Sequence, residues 1–133
     1  MLTLSKLIAV IPTVMIVGCA SGPSGQSFDS PIGEWNETLV TMSGENMSLK
    51  VTIIDKTRGL TSRGVLEFFS ADNDRMWKAY WIDDSGLEPC SEKKNGSPYW
   101  GESIYHFNEA YNRYSGTYDV CGEGRKYDFN GYR

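Results

Sequence analysis

The residues best suited to acid–base chemistry lie in one stretch, Glu102-Ser103-Ile104-Tyr105-His106. His106 is the single histidine of the chain and hence its one candidate imidazole base. If the stretch is a strand, Glu102 and His106 share a face but stand ~13 Å apart along it, and Ser103 points to the other face. A hydrogen-bonded triad is therefore not expected. We predict a half-buried or surface role for His106 and no enzymatic activity.

Motifs that bind metals or cofactors are missing. Asp72-Asn73-Asp74 starts like a calcium loop, but the central glycine and terminal glutamate of such a loop do not follow. A plain turn is expected there instead. The sequence also has no Gly-x-Ser-x-Gly, no phosphate-binding loop and no His-Glu-x-x-His. We therefore expect no metal and no cofactor.

Aromatic residues are dense in the second half of the chain. Some of them must fill the core, since a small β domain needs large side chains inside. The stretch Met76–Ile82 is apolar or aromatic on both faces, whereas a half-exposed strand alternates more cleanly. The excess could line a pocket or form an outward contact patch. Our candidate binding residues are Trp77, Tyr80, Trp81, Trp100 and Tyr111.

The first residues have the pattern of an export signal. Lys6 precedes an apolar run from Leu7 to Val17, and small residues follow the run. This order is typical of a secretory signal peptide. An uncleaved membrane anchor is the alternative, but it would bury Lys6, and the uninterrupted run is short for ~30 Å of hydrocarbon.

The end of this segment, Ile16-Val17-Gly18-Cys19, resembles the lipobox of bacterial lipoproteins. In that motif an aliphatic residue, a small or aliphatic residue and Gly or Ala precede an invariant Cys. The resemblance implies cleavage before Cys19 and acylation of Cys19, with palmitate among the possible chains, and several chains anchor a protein stably. Ala20 follows where Asp would favour inner-membrane retention, so the resemblance implies the outer membrane. Ordinary secretion, with Cys19 a small buried residue, is the alternative.

Two cysteines remain once Cys19 is assigned to the anchor, namely Cys90 and Cys121. A pair of cysteines in an exported chain indicates a disulfide. A zinc site is the alternative, but two cysteines and one histidine could complete it only with carboxylates.

The chain divides into a signal peptide (1–18), an acylated cysteine with a flexible tether (19–31) and one β domain (32–133). The tether is small, polar and proline-punctuated, which prevents it from burying a core. Loss of the signal removes only Lys6 from a net charge of −4, which leaves −5. This acidic balance argues against a nucleic-acid surface and against adsorption to anionic lipid by charge alone.

The domain reads as strands separated by turns rich in Gly, Asn and Asp. No segment keeps helical periodicity for three turns. We predict an all-β fold, a small antiparallel meander barrel or sandwich of seven to eight strands. The predicted strands are 34–41, 49–54, 63–70, 76–83, 99–107, 113–121 and 126–132.

Short motifs favour the barrel over the sandwich. Gly33-Glu34-Trp35 at the start and Arg133 at the end are similar to lipocalins, and Gly116-Thr117-Tyr118 is similar to avidin-like barrels. These resemblances imply that the opening Trp packs at the closed end of a barrel. The chain departs from a full lipocalin in being shorter and in having no predicted C-terminal helix.

Three functions are compatible with this layout. The first is a non-catalytic binding or inhibitory module for an envelope or host protein, similar in layout to bacterial lysozyme inhibitors and receptor-blocking lipoproteins. An exposed aromatic patch over a filled interior would favour it. The second is a carrier of a small apolar ligand, favoured by an open interior lined by Trp77, Trp81 and Tyr105. The third is a hydrolase built from Glu102, His106 and the Asp pairs. We rank them in that order.

Overall fold

The structure is a computed structural model that describes residues 25–86 and 88–133. These residues form eight strands: β1 Gly33–Val40, β2 Asn46–Ile53, β3 Arg58–Thr61, β4 Gly64–Asn73, β5 Met76–Asp83, β6 Tyr99–Phe107, β7 Arg113–Tyr118 and β8 Tyr127–Tyr132. Each strand pairs antiparallel with the next, and β8 pairs with β1, so the sheet closes into a barrel. The predicted antiparallel meander barrel is confirmed, and the sandwich alternative is excluded.

The predicted limits of β5 and β6 agree with the structure, but β3 was not predicted. Between the predicted strands 49–54 and 63–70, the chain makes a short turn and then forms β3. Asp55 Oδ1 accepts hydrogen bonds from the backbone N–H groups of Thr57 (2.8 Å) and Arg58 (3.1 Å), and the strand starts at Arg58. With only four residues, β3 is too short to show an alternating pattern.

Alternation along the strands sets the inside of the barrel. In β1 the side chains of Trp35 and Glu37 are buried, whereas Glu34 and Thr38 are exposed. In β6 His106 is exposed on the outer face. This period of two is the expected behaviour of a sheet with one face inside and one outside.

One end of the barrel, called here the closed end, is filled with aromatic rings. Trp35 lies 4.8 Å from Tyr114 and 5.8 Å from Phe107 between ring centroids, and Trp77 meets Phe107 edge-on at 5.7 Å. Trp35 and Trp77 are at most 2% exposed. Tilted and edge-on contacts of this kind add to the free energy from burial alone. The closed end is therefore the packed core of the domain.

Arg133 seals the closed end from outside. Its guanidinium lies 4.2 Å from the ring centroid of Trp35 and 3.8 Å from that of Phe28. It also donates hydrogen bonds to the carbonyls of Tyr111 (2.8 Å), Ile32 (2.9 Å) and Ser30. One planar cation thus joins the last residue to the segment that leads into β1.

Part of the predicted tether packs on the barrel. The Phe28 N–H donates to the Ala110 carbonyl (2.8 Å), and Trp35 Nε1–H donates to the Pro31 carbonyl (2.8 Å). Residues 28–31 are therefore docked at the closed end, where flexibility was expected. The predicted signal peptide (1–18), Cys19 and the first residues of the predicted tether lie outside the described residues.

Two glycines make room for large rings inside the barrel. Gly101 pairs with Trp81 and Gly131 pairs with Tyr114 across neighbouring strands. A Cβ at Gly101 would stand 2.6 Å from Trp81 Nε1, and a Cβ at Gly131 would overlap the Tyr114 ring. Each glycine lets its partner ring lie flat across the strand, which places both rings precisely enough to shape the interior.

The predicted disulfide between Cys90 and Cys121 is present and spans 31 residues. It joins the long β5–β6 connection to the segment after β7. The barrel closes entirely within residues 25–133, so this segment is a folding unit. Among the described residues there is no helix long and apolar enough to cross a membrane.

Candidate functional site

The half of the barrel opposite the closed end holds a cavity of about 170 Å³. Its mouth is formed by the β1–β2, β3–β4 and β5–β6 connections, which contribute Met42, Arg63, Ser85 and Glu88. The wall and inner end are mostly apolar or aromatic and comprise Leu39, Met47, Leu49, Leu66, Trp81, Tyr99, Tyr105, Tyr118, Val120 and Phe129, with Glu37 and Ser103 among them.

Glu37 is the charged group at the inner end of the cavity. It stands between Trp35 and Leu39 on the inward face of β1, opposite Leu49 of β2. Its side chain is only 6% exposed. The Tyr114 hydroxyl donates a 2.6 Å hydrogen bond to Glu37 Oε1 from the closed-end side. A carboxyl group is thus held by a buried tyrosine at the bottom of an apolar cavity.

Burial controls the ionisation of this group. Removal from water raises the pKa of Glu37 to about 7, and the hydrogen bond from Tyr114 opposes that rise only in part. No cation of the described residues forms a salt bridge with Glu37. Burial and the nearby Glu37 charge also raise the pKa values of Tyr105 and Tyr114 well above 10, so both hydroxyls stay protonated at neutral pH.

The mouth carries a salt bridge. Arg63 Nε lies 3.1 Å from Asp83 Oδ2, and Arg63 Nη2 donates to the Ser85 carbonyl at 3.2 Å. Burial raises the pKa of Asp83, although the Arg63 guanidinium opposes the rise. Arg63 is therefore already paired at the rim and does not neutralise Glu37 below.

Two aromatic residues shape the wall. Trp81 Nε1–H donates to the Asp119 carbonyl (2.9 Å), and the Tyr118 hydroxyl donates to the Val40 carbonyl (2.6 Å). The rings of Trp81 and Tyr118 meet edge-on at 6.0 Å. Since their polar atoms bind backbone carbonyls, these residues offer the cavity mainly their carbon surface.

The five predicted binding residues do not share one surface. Trp81 lines the cavity, and Trp77 and Tyr111 are buried at the closed end. Tyr80 and Trp100 lie on the outer face of β5 and β6, where Lys94 Nζ stands 4.0 Å and 4.7 Å from their ring centroids. Trp100 is only 9% exposed, and its indole N–H donates to the Glu92 carbonyl. The β5–β6 connection therefore packs over Tyr80 and Trp100.

Glu37 is the site residue that the sequence analysis missed. Trp35, Glu37 and Leu39 occupy alternate positions of the first predicted strand, so alternation puts Glu37 on the same inward side as the two apolar residues. An acidic residue between two inward apolar ones was the available signal. By contrast, Glu102 and His106 lie on the outer face of β6, away from the cavity, while Ser103 lines it.

The described residues contain no cluster of three or more His, Cys, Asp or Glu that could hold a metal ion. Comparisons of the chain with protein-family models, with curated proteins and with solved structures gave no match. The function must therefore be argued from the cavity itself.

Proposed function

We propose that the protein is a lipid-anchored protein of the bacterial envelope that binds a small, mostly apolar molecule inside its barrel. This reverses the order of the first two functions expected from the sequence. The observation that carries the proposal is the cavity of about 170 Å³ with an isolated carboxyl group at its inner end. The lipid anchor and the outer-membrane location rest on Ile16-Val17-Gly18-Cys19 alone.

The size of the cavity supports a small ligand. Apolar cavities of about 150 Å³ admit a molecule the size of benzene. The wall offers leucine and aromatic surface for such a body, and Glu37 offers one polar contact. A pocket with an apolar lining and few polar groups is the usual form of a small-molecule site.

The location of the aromatic residues also favours an internal ligand over a protein partner. Trp77, Trp100 and Tyr111 are each less than a tenth exposed, so they have little surface to offer a partner. Interfaces between proteins depend on aromatic residues that reach the partner. The chain uses most of its large rings to build the barrel.

A protein-binding module remains the second candidate because two large apolar residues are exposed on the outer face of the barrel. Phe69 is 47% exposed with its ring centroid 4.6 Å from that of Tyr80, and Leu60 on β3, opposite Val65 of β4, is 49% exposed. Exposed apolar residues on adjacent strands can contact a partner. Replacing Phe69 and Leu60 with serine should leave cavity binding unchanged, so the two candidates can be tested separately.

Thermal unfolding of the 25–133 segment with and without benzene tests the proposal. A ligand that binds only the folded state raises the melting temperature with its concentration. We expect such a rise for the parent and its loss in Leu49→Trp, which fills the cavity beside Glu37. Phe69→Trp, on the outer face, is the matched control and should keep the rise. An equal response of the parent and Leu49→Trp would contradict the proposal.

A further inference from the structure

Glu37 has one oxygen available to a ligand. Tyr114 is the hydrogen-bond partner of its carboxyl group among the described residues, and that bond goes to Oε1. The residue nevertheless lines the cavity. An ionised carboxylate accepts several hydrogen bonds, so the Glu37 carboxyl group keeps unused acceptor capacity beyond the bond from Tyr114.

Within residues 25–86 and 88–133, no cation forms a salt bridge with Glu37 inside the barrel. The groups that line the cavity around Glu37 are Leu49 from β2, Leu66 from β4, Ser103 and Tyr105 from β6, Tyr118 from β7 and Phe129 from β8, with Tyr114 behind. Of the charged residues at the mouth, Arg63 pairs with Asp83, and Glu88 is acidic like Glu37. A buried carboxylate without a cation is costly, and a bound cation would remove that cost.

The shape and chemistry of the cavity favour one class of cation over the others. An anionic ligand would be repelled by Glu37, and a metal ion would need more ligands than the described residues group together. A guanidinium presents five donors in a rigid plane, for which the apolar wall has too few acceptors. An ammonium group presents three donors and is attracted to aromatic faces such as those of Tyr105 and Phe129.

We propose, resting on the proposed function, that the cavity binds small apolar molecules that carry a protonated amine, with the ammonium against the Glu37 carboxylate. The hydrocarbon part lies toward the mouth, along Leu39, Trp81 and Tyr118. The ligand class is thus a primary amine on a body of about the size of one aromatic ring or a short alkyl chain.

Calorimetric titration of the 25–133 segment at pH 8 with two matched probe pairs tests this inference. Benzylamine and benzyl alcohol form one pair, and n-butylamine and n-butanol form the other. In each pair the shapes match and only the amine is cationic. We expect at least one amine to bind more than tenfold more tightly than its alcohol. The variant E37Q, which keeps an acceptor for Tyr114, should reduce that preference to about twofold or less.

The control variant is E34Q, which makes the same change on the exposed face of the same strand. It should keep the full preference. If the alcohols bind as tightly as the amines and E37Q changes neither, the amine inference is overturned while the cavity function stands. If no probe binds the parent, the proposed function fails together with the inference.

Proton release provides a readout that needs no variant. Glu37 has a pKa of about 7 in the free protein, so amine binding to the ionised form should release protons near neutral pH. Benzylamine affinity should fall about tenfold from pH 8 to pH 6, as the ionised fraction does. Tyr105, Tyr114 and Tyr118 stay protonated over this range, and the alcohol affinity should not change. An amine affinity that is constant over this range would overturn the inference.

Discussion

The two ends of the barrel differ in how they treat a charge removed from water. At the closed end the partly buried cation of Arg133 meets two aromatic rings and three backbone carbonyls. At the inner end of the cavity the more deeply buried Glu37 has one hydroxyl partner and no cation among the described residues. Arg133 is satisfied by groups of the chain itself, whereas Glu37 would gain a countercharge only from something added to the cavity.

This difference indicates that the closed end mainly stabilises the fold and that the cavity half mainly binds a ligand. Rings in contact with one another at the closed end gain dispersion energy on every side, whereas rings that face a cavity have no partner on one side. We therefore expect the closed end to carry most of the folding free energy and the cavity half to be tunable by ligand and pH.

The largest expected effect is the difference in lost stability between alanine substitutions of two tryptophans. Trp35→Ala at the closed end should lower the free energy of unfolding by about 3–5 kcal/mol, since it removes a buried ring and leaves a void. Trp81→Ala in the cavity wall should cost only about 1–2 kcal/mol, since the ring already borders empty space. Urea denaturation followed by circular dichroism measures both. Equal costs would break the distinction between the two ends.

The second-largest expected effect is the pH dependence of stability that Glu37 causes. Burial raises the folded-state pKa to about 7 from an ordinary value of 4.5, so the folded state holds its proton more tightly than the unfolded chain. The resulting stabilisation is complete below about pH 4.5 and is lost as pH rises through 7.

The variant E37Q removes this dependence, so its stability relative to the parent should rise by about 2–3 kcal/mol from pH 5 to pH 8. Denaturation of both proteins across that range measures the change, with E34Q as the control that should follow the parent. If the difference in stability between E37Q and the parent did not vary with pH, this would contradict a buried Glu37 carboxyl group without a cation.

The smallest effect concerns the shape of the closed-end cation. Arg133→Lys keeps the charge but loses the planar group that stacks on Trp35 while it donates to several carbonyls. We expect a loss of about 1–2 kcal/mol in unfolding free energy. Arg113→Lys, at an exposed arginine 5.9 Å from the Tyr132 ring, is the control and should change stability by less than ~0.5 kcal/mol. A similar small change in both variants would show that Arg133 is an ordinary surface cation.

Local sequence patterns predicted much of the fold. The limits of β5 and β6 could be predicted because both strands are long and bounded by clear turns, and the disulfide because only Cys90 and Cys121 remained to pair. The strand β3 could not, since four residues show no period and its pairing depends on both neighbours.

The candidate site was harder to predict because it depends on closure. Composition cannot say which aromatic residues fill the closed end and which leave space, since Trp77 and Trp81 lie on the same face of β5 only four residues apart. Their difference arises from the tertiary neighbours. Trp77 meets Phe68 and Phe107, whereas Trp81 lies over Gly101 beside the cavity. The meaning of Glu37 likewise appears only once the barrel surrounds it.

The chain has four tryptophans, and they report on three regions. Trp35 and Trp77 lie at the closed end, Trp81 in the cavity wall and Trp100 on the outer face. The most direct test is to follow the four indole N–H signals by NMR while benzylamine is added to the 25–133 segment. We predict a saturable shift that is largest for Trp81, with the Trp35 and Trp100 signals nearly unmoved. A shift centred on Trp100, or no saturable shift at Trp81, would contradict a ligand cavity inside the barrel.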